Sequence, residues 1–173
     1  MIGAGLGMLI LLSLGTNLSP EGKDSPPSQG LAVPHGGYTA PDFELFTLFG
    51  ERIRLSNLQG KSVLLNFWAT WCGPCRLEMP SIQKRYEQYA PDLAVLAINF
   101  DEPQEIVQQF VSELGLTFDI LLDPGGEIQQ LYRVMGYPTS YFVDAQGIVR
   151  IHHVGYMSET QLDEYLTAMG VGQ

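Results

Sequence analysis

The stretch at residues 62–80 reads SVLLNFWATWCGPCRLEMP. Its first part, 62–69, is a near-continuous apolar run, the pattern of a strand that is buried on both faces of a sheet. The residues that follow have helical spacing, which predicts a helix that begins near Cys72. Both cysteines of the chain, Cys72 and Cys75, therefore fall at the junction between a buried strand and a helix.

The chain around this junction alternates between strand and helix patterns. Further strands are predicted, in chain order, at 43–45, 52–55, 93–100, 118–122, 139–143 and 148–154. Further helices are predicted over 103–114, over 127–132, and from a capping box at Ser158 to just before Gly170. The inner face of the helix after Cys72 is predicted to carry Leu77, Ile82, Tyr86 and Tyr89. This alternation indicates an α/β fold with a parallel or mixed sheet covered by helices on both faces.

The N-terminal part of the chain has a different composition. Residues 1–18 carry no charged side chain, and a helix of that length spans about 27 Å, close to the ~30 Å hydrocarbon core of a bilayer. We therefore expect a membrane anchor, with a cleaved signal segment or a buried helix of a soluble protein as the alternatives. Residues 19–40 are rich in Pro, Gly and Ser, which predicts a flexible linker. The folded domain is then expected at 41–173.

Charge and cysteine content exclude several classes of protein. The formal net charge is −10, from 9 basic and 19 acidic residues. A chain this acidic lacks the basic footprint of a nucleic-acid-binding protein, so we expect no nucleic-acid partner. Two cysteines are too few for a four-thiolate zinc site or for a disulfide-dense secreted scaffold.

The spacing of the two cysteines favours redox chemistry. A thiol at the N-terminus of a helix lies beside unpaired backbone N–H groups and the positive end of the helix dipole, which stabilises the nucleophilic thiolate. Cys75 follows one helical turn after Cys72, so the two sulfurs can form a disulfide. Pro74 is tolerated in a first helical turn, where its missing N–H has no partner to lose.

Two other interpretations of the cysteine pair remain open at this point. The pair can be structurally inert, or it can be half of a metal site. A tetrahedral site needs two further ligands, and His152 and His153 are the histidines of the predicted domain. Adjacent residues of a strand point to opposite faces, so both rings do not easily reach one metal ion. We therefore expect no metal.

The segment 64–80, LLNFWATWCGPCRLEMP, resembles the membrane-tethered thiol–disulfide oxidoreductases of the TlpA/ResA type in the thioredoxin superfamily. The similarity extends to APDF at 40–43, LSNL at 55–58, GK at 60–61 and GYPT at 136–139, and it covers essentially all of 40–170. The resemblance implies a thioredoxin fold, a mixed central sheet flanked by helices, with an N-terminal β-hairpin and a helix–strand insert at 101–123.

The resemblance also implies an activity and a setting. It implies an extracytoplasmic, membrane-anchored enzyme that reduces protein disulfides without a cofactor, often in cytochrome c maturation. The implied partners are a protein thiol or disulfide substrate such as an apocytochrome c, a thiol-type electron donor in the membrane, and the membrane itself through the N-terminal segment.

Site residues carry over position by position. Cys72 matches the exposed nucleophile, Cys75 the buried resolving thiol, and Pro138 a cis-proline that faces the cysteines and exposes the backbone of Tyr137 to an extended substrate. We expect the substrate to contact the surface around Cys72, formed by Trp71, Gly73, Pro74, Tyr137 and Pro138.

Glu78 is the predicted proton acceptor of the site. Asn66 occupies a strand position where ordinary thioredoxins have a buried aspartate, and an amide cannot take the proton that Cys75 must lose. Glu78 lies one helical turn after Cys75, and a glutamate at this place matches the TlpA/ResA type. Burial would raise its pKa toward neutrality. The alternative is a solvent-facing carboxylate on the helix surface.

Two other functions compete with a dithiol–disulfide oxidoreductase. The APDF opening at 40–43 and Thr70 near Cys72 are also found in thiol peroxidases of the peroxiredoxin type, although Gly-Pro-Cys does not normally follow a peroxidatic cysteine. The second alternative is a metal-carrying module that binds through Cys72, Cys75 and one histidine.

Overall fold

The computed structural model describes residues 1–2, 31–32 and 37–172 of the chain, with the backbone alone at 31–32. The predicted anchor or signal segment at 1–18 and most of the predicted linker at 19–40 lie outside these residues. Within the part of the chain that is described, no helix has the length and apolar character needed to cross a bilayer.

Strands and helices follow the predicted order closely. The strands are β1 (Leu31–Ala32), β2 (Tyr38–Thr39), β3 (Glu44–Thr47), β4 (Arg52–Arg54), β5 (Ser62–Trp68), β6 (Leu93–Phe100), β7 (Asp119–Asp123), β8 (Thr139–Val143) and β9 (Ile148–Val154). The helices are α1 (Gly73–Tyr89), α2 (Gln104–Leu114), α3 (Glu127–Leu131) and α4 (Glu159–Ala168). The capping box at the start of α4 is present, with Ser158 and Gln161 bonding to each other's backbone.

The strands form one mixed sheet in the order β1-β9-β8-β5-β6-β7-β3-β4, and β2 also pairs with β9. β5, β6 and β7 run parallel to one another, whereas the other pairs are antiparallel. β3 and β4 form the predicted hairpin, and α2 with β7 forms the predicted helix–strand insert. The mixed α/β architecture is therefore confirmed.

Two apolar clusters cover the two faces of the sheet. The larger cluster contains inward residues of α1, α2 and α4, and the smaller one contains Phe43, Leu55 and Tyr132. β5 contributes to both clusters because it is the central strand and is buried along most of its length. The parallel strands β5 and β6 end at the same edge, so the residues that follow them lie close together.

Two details of the sequence prediction are wrong. The predicted boundary of the linker lies too late, because Tyr38 and Thr39 pair with β9, and Ala40 is buried and donates its N–H to Gly147 O at 2.9 Å. Leu77 was expected on the inner face of α1, but its side chain is 69% exposed. It lies two residues after the buried Cys75, about 200° around the helix, and so faces solvent.

Candidate active site

The cysteine pair caps the first turn of α1. Cys72 is the N-cap residue, and its sulfur accepts a hydrogen bond from the Cys75 N–H at 3.2 Å. The turn before it is closed by the Cys72 N–H, which donates to Ala69 O. Pro74 lies in the first turn of the helix, as expected. The sequence therefore places the sulfur of Cys72 at a helix N-terminus, where the dipole stabilises a thiolate.

Cys72 and Cys75 are joined by a disulfide bond. Cys75 is fully buried, and Cys72 is 5% exposed. Cys72 was expected to be exposed, and in this oxidised state it is much less so, because its sulfur is bonded to the buried sulfur of Cys75. The order of accessibility is still the predicted one, since only Cys72 retains a surface that another molecule can reach.

Glu78 lies on the buried side of α1, one turn after Cys75, and is 1% exposed. Its Oε1 accepts a hydrogen bond from Asn66 Nδ2 at 2.8 Å, and its Oε2 accepts one from the Met157 N–H at 3.1 Å. Burial raises the pKa of Glu78 to about 7, although both hydrogen bonds act in the opposite direction. The alternative of a solvent-facing carboxylate is therefore wrong, and Glu78 is a buried carboxyl group one helical turn after Cys75.

The loop before β8 forms one wall of the site. The Tyr137–Pro138 peptide bond is cis, as expected. The Pro138 carbonyl accepts a hydrogen bond from the Gly155 N–H at 2.8 Å, which ties this loop to the loop between β9 and α4. The ring of Tyr137 meets that of Trp71 edge to face, with 5.6 Å between centroids. This contact brings the predicted substrate-contact residues from two separate segments together.

The accessible surface around the disulfide is apolar. Trp71 is 67% exposed, and Gly73 and Pro74 are also exposed, whereas Pro138 is buried and Tyr137 half-buried. Of the predicted contact residues, only the first three thus present an open surface, and Tyr137 borders it through its ring contact with Trp71.

Sequence reasoning missed Glu102, which holds the turn before Cys72. Its carboxylate accepts hydrogen bonds from the Thr70 N–H at 2.7 Å, the Thr70 hydroxyl at 2.5 Å and Asn99 Nδ2 at 2.7 Å. Glu102 lies just after β6 and Thr70 just after β5. Because parallel strands end at the same edge of a sheet, the predicted β5 and β6 were the signal that could have placed Thr70 and Glu102 together.

The two histidines face opposite sides of β9, as predicted. The ring of His152 stacks on Tyr141 with 4.3 Å between centroids. His153 is fully buried, and its two ring nitrogens lie 3.2 Å from the Tyr165 hydroxyl and from Tyr156 O. Among the described residues, no group of three His, Cys, Asp or Glu side chains is arranged to share a metal ion.

Comparisons with known proteins agree on the class of this site. The family model described as the AhpC/TSA family matches residues 37–152. The thioredoxin-like protein YneN of Bacillus subtilis is 47% identical over 133 residues, which cover 75% of this chain and 78% of that protein. The thiol-disulfide oxidoreductase ResA of Oceanobacillus iheyensis is 38% identical over 135 residues, covering 75% of this chain and 70% of that protein.

A solved structure gives the same result. The crystal structure of a putative thiol:disulfide interchange protein DsbE from Chlorobium tepidum superimposes with a TM-score of 0.72 at 35% identity, covering 77% of this chain and 96% of that one. The similarity to ResA and the thioredoxin fold, both expected from the sequence, are therefore confirmed.

Proposed function

We propose, given that the chain belongs to the AhpC/TSA family and is a thiol–disulfide oxidoreductase, that it reduces protein disulfide bonds on the outer side of a membrane. One observation carries the mechanism of this proposal. A buried carboxyl group with a pKa of about 7, Glu78, lies one helical turn after the buried cysteine of the pair. Such a group can accept the proton that Cys75 must release when a mixed disulfide is resolved.

In the first step, the thiolate of Cys72 attacks one sulfur of a substrate disulfide. A bond forms between Cys72 Sγ and that sulfur, and the other substrate sulfur leaves as a thiolate. The helix N-terminus at Cys72 supports this step because it stabilises the attacking anion. The greater exposure of Cys72 relative to Cys75 supports the same assignment.

In the second step, Cys75 resolves the mixed disulfide. Glu78 takes the proton of the Cys75 thiol, the resulting thiolate attacks Cys72 Sγ, and the second substrate sulfur leaves as a thiolate. Two electrons have then passed from the enzyme dithiol to the substrate, and the enzyme is left with the Cys72–Cys75 disulfide seen in the structure. A thiol-type electron donor must reduce this disulfide before the next cycle.

The substrate surface is proposed to be the apolar area around Cys72. Trp71 supplies a large exposed ring, and Gly73 and Pro74 leave the approach to the sulfur open. The backbone of Tyr137 borders this area and is proposed to pair with an extended segment of the substrate. An apolar surface of this kind favours an unfolded polypeptide over a small charged molecule.

Location and partners follow from the N-terminal sequence and the resemblance. An uncharged apolar segment at 1–18, followed by a linker, supports a catalytic domain tethered to a membrane and facing away from the cytoplasm. An apocytochrome c is the proposed substrate, and a membrane thiol protein is the proposed electron donor. No further cofactor is required by the mechanism, since both electrons are held by the two sulfurs.

The peroxidase alternative is disfavoured by two contacts. The Thr70 hydroxyl donates to Glu102 at 2.5 Å, and Arg76 pairs with Glu113 at 2.7 Å and stacks over the ring of Phe110. The Thr70 hydroxyl and the guanidinium group of Arg76, the arginine next to the cysteine pair, are therefore both engaged in other contacts.

An assay on the reduced protein tests the proposal. We expect it to reduce a disulfide-bonded model protein rapidly and to consume hydrogen peroxide slowly, whereas a peroxidase would show the opposite order. Glu78→Gln keeps the shape and a hydrogen bond but cannot accept the proton, so it should slow disulfide reduction about ten-fold or more. Glu87→Gln, an exposed carboxylate on the same helix, is the matched control and should retain the rate of the unchanged protein.

A further inference from the structure

His153 is a buried polar residue that the mechanism above does not use. It is fully buried on β9, on the sheet face opposite to that of His152. Its Nε2 lies 3.2 Å from the carbonyl oxygen of Tyr156, and its Nδ1 lies 3.2 Å from the hydroxyl of Tyr165 on α4. A carbonyl oxygen can only accept, so Nε2 carries a proton and donates it to Tyr156 O, and the tyrosine hydroxyl is the partner of Nδ1.

The carbonyl that His153 contacts belongs to the same peptide unit as the N–H that contacts Glu78. The C=O of Tyr156 and the N–H of Met157 are the two ends of one amide. The first accepts from His153 Nε2, and the second donates to Glu78 Oε2 at 3.1 Å. A continuous chain of hydrogen bonds therefore runs from Tyr165 through His153 and this peptide to the carboxylate of Glu78.

Such a chain has a physical consequence at Glu78. A hydrogen bond donated to an amide oxygen draws electron density toward that oxygen and makes the N–H of the same amide a stronger donor. A stronger donor stabilises the ionised carboxylate more than the neutral carboxyl group. The ring of His153 also fixes the plane of the Tyr156–Met157 peptide and so aims its N–H at Glu78.

We propose that His153 is a positioning residue that acts through the Tyr156–Met157 peptide to set how readily Glu78 binds and releases its proton. This inference rests on the proposed function for its importance in catalysis. Its structural part, the link between His153 and Glu78, holds whether or not Glu78 acts in turnover.

Other groups face Glu78 and His153, the two titratable residues that this series of hydrogen bonds joins. Glu78 is faced by the amide of Asn66 from β5, and Cys75 precedes it by one turn along α1. His153 is faced by the Tyr165 hydroxyl from α4, and Ser140 stands opposite it in the β8–β9 register. His152 is its neighbour in sequence but stacks on Tyr141 on the other face of the sheet.

Four single variants of the full chain test the proposal. His153→Leu removes the donor at similar bulk, whereas His153→Gln keeps an N–H donor the same number of bonds from the backbone. Tyr165→Phe removes only the hydroxyl group that begins the series of hydrogen bonds. His152→Gln is the matched control, since it changes the neighbouring histidine that points away from Glu78.

The readout is the ¹³C NMR titration of the Glu78 carboxyl in the oxidised protein. We expect His153→Leu to raise the midpoint by about 0.5 to 1 pH unit, because the Met157 N–H becomes a weaker donor to the carboxylate. We expect His153→Gln and His152→Gln to keep the midpoint of the unchanged protein. The pH dependence of disulfide reduction should move in parallel with the NMR midpoint in each variant.

An unchanged midpoint in folded His153→Leu would overturn the inference, as would an equal rise in His152→Gln. If His153→Leu does not fold, Tyr165→Phe decides the question. A smaller rise of the Glu78 midpoint in this variant supports the proposed link, and no rise overturns it. The oxidised protein performs no turnover, so this titration is independent of the proposed function. That function fails separately, if Glu78→Gln reduces disulfides at the normal rate.

Discussion

Asn66 on β5 donates a hydrogen bond to Glu78 on α1, with 2.8 Å between Asn66 Nδ2 and Glu78 Oε1. The amide supplies this contact without a charge of its own, and both residues are almost fully buried. The only ionisable partner in this pair is therefore Glu78. Burial raises the pKa of that carboxyl to about 7, against a value of 4.5 in an exposed chain.

The raised pKa of Glu78 predicts how stability depends on pH. Between pH 4.5 and 7 the folded protein retains a proton that the unfolded chain releases. The stabilisation that Glu78 gives the folded state is therefore fully present below pH 4.5 and is lost as pH rises through 7. It amounts to about 3 kcal/mol of unfolding free energy. In urea unfolding, the unfolding free energy of Glu78→Gln should not show this fall with pH. The variant should therefore gain stability relative to the unchanged protein as pH rises. Parallel curves would show that Glu78 titrates normally.

Glu102 is predicted to hold the turn that carries Cys72. Its carboxylate accepts three hydrogen bonds, two of them from Thr70. Glu102→Gln replaces one acceptor oxygen by a donor, so it should lower the unfolding free energy by about 1–2 kcal/mol and slow disulfide reduction. Urea unfolding and the reductase assay measure the two effects. Glu164→Gln, an exposed carboxylate in the middle of α4, is the control and should change neither quantity.

An ion pair between α1 and α4 is predicted to stabilise the fold. The side chain of Arg85 is 9% exposed and bonds both oxygens of Asp163, at 2.5 and 2.7 Å. The arginine lowers the pKa of Asp163, so this contribution is present at neutral pH and is lost as pH falls through that lowered value. Asp163→Asn should cost about 1–2 kcal/mol, less than a fully buried pair, because the Asp163 side chain is 46% exposed.

Two comparisons check this ion-pair prediction. The difference between Asp163→Asn and the unchanged protein should be present at pH 7 and should shrink in acid. Glu159→Gln removes the longer contact to Arg85, at 3.4 Å, and should have a smaller effect. An equal cost at pH 7 and in acid would show that the loss does not come from the charge of Asp163.

Much of this arrangement follows from local sequence patterns. The buried strand at 62–69 is visible as an apolar run, and Glu78 is found from its spacing to Cys75 along one helix. In both cases the deciding residues are close in sequence. Leu77 shows the limit of such reasoning, because an apolar residue on an exposed helix face has the same local signature as a core residue.

Contacts between segments that are distant in sequence could not be predicted from the local patterns. His153 meets Glu78 only through the backbone of a loop, and no side-chain pattern encodes a peptide that bridges two buried groups. Glu102 and Thr70 are 32 residues apart and meet because β5 and β6 end at one edge. β1 and β2 are two residues long each, too short to show periodicity within a Pro- and Gly-rich segment.

The N-terminal segment is predicted to attach the protein to a membrane without contributing to the folded domain. The full chain should stay in the membrane fraction after a carbonate wash, and a protein truncated to begin at Leu31 should be soluble, folded and active. A protein that begins at Pro41 should be less stable by about 1–2 kcal/mol, because it lacks β2 and the hydrogen bond from the Ala40 N–H to Gly147 O. Release of the full chain by carbonate would contradict the anchor.

The proposed mechanism requires that Cys72 attacks the substrate and that Cys75 resolves the mixed disulfide. It is tested most directly by mass spectrometry of single-cysteine proteins after reaction with a disulfide-bonded peptide. The chain has two cysteines, so each variant leaves one thiol to react. Cys75→Ala should accumulate a mixed disulfide between Cys72 and half of the peptide, because attack proceeds and resolution cannot. Cys72→Ala should form little adduct. A mixed disulfide that accumulates on Cys75 in Cys72→Ala, with none on Cys72 in Cys75→Ala, would contradict the account.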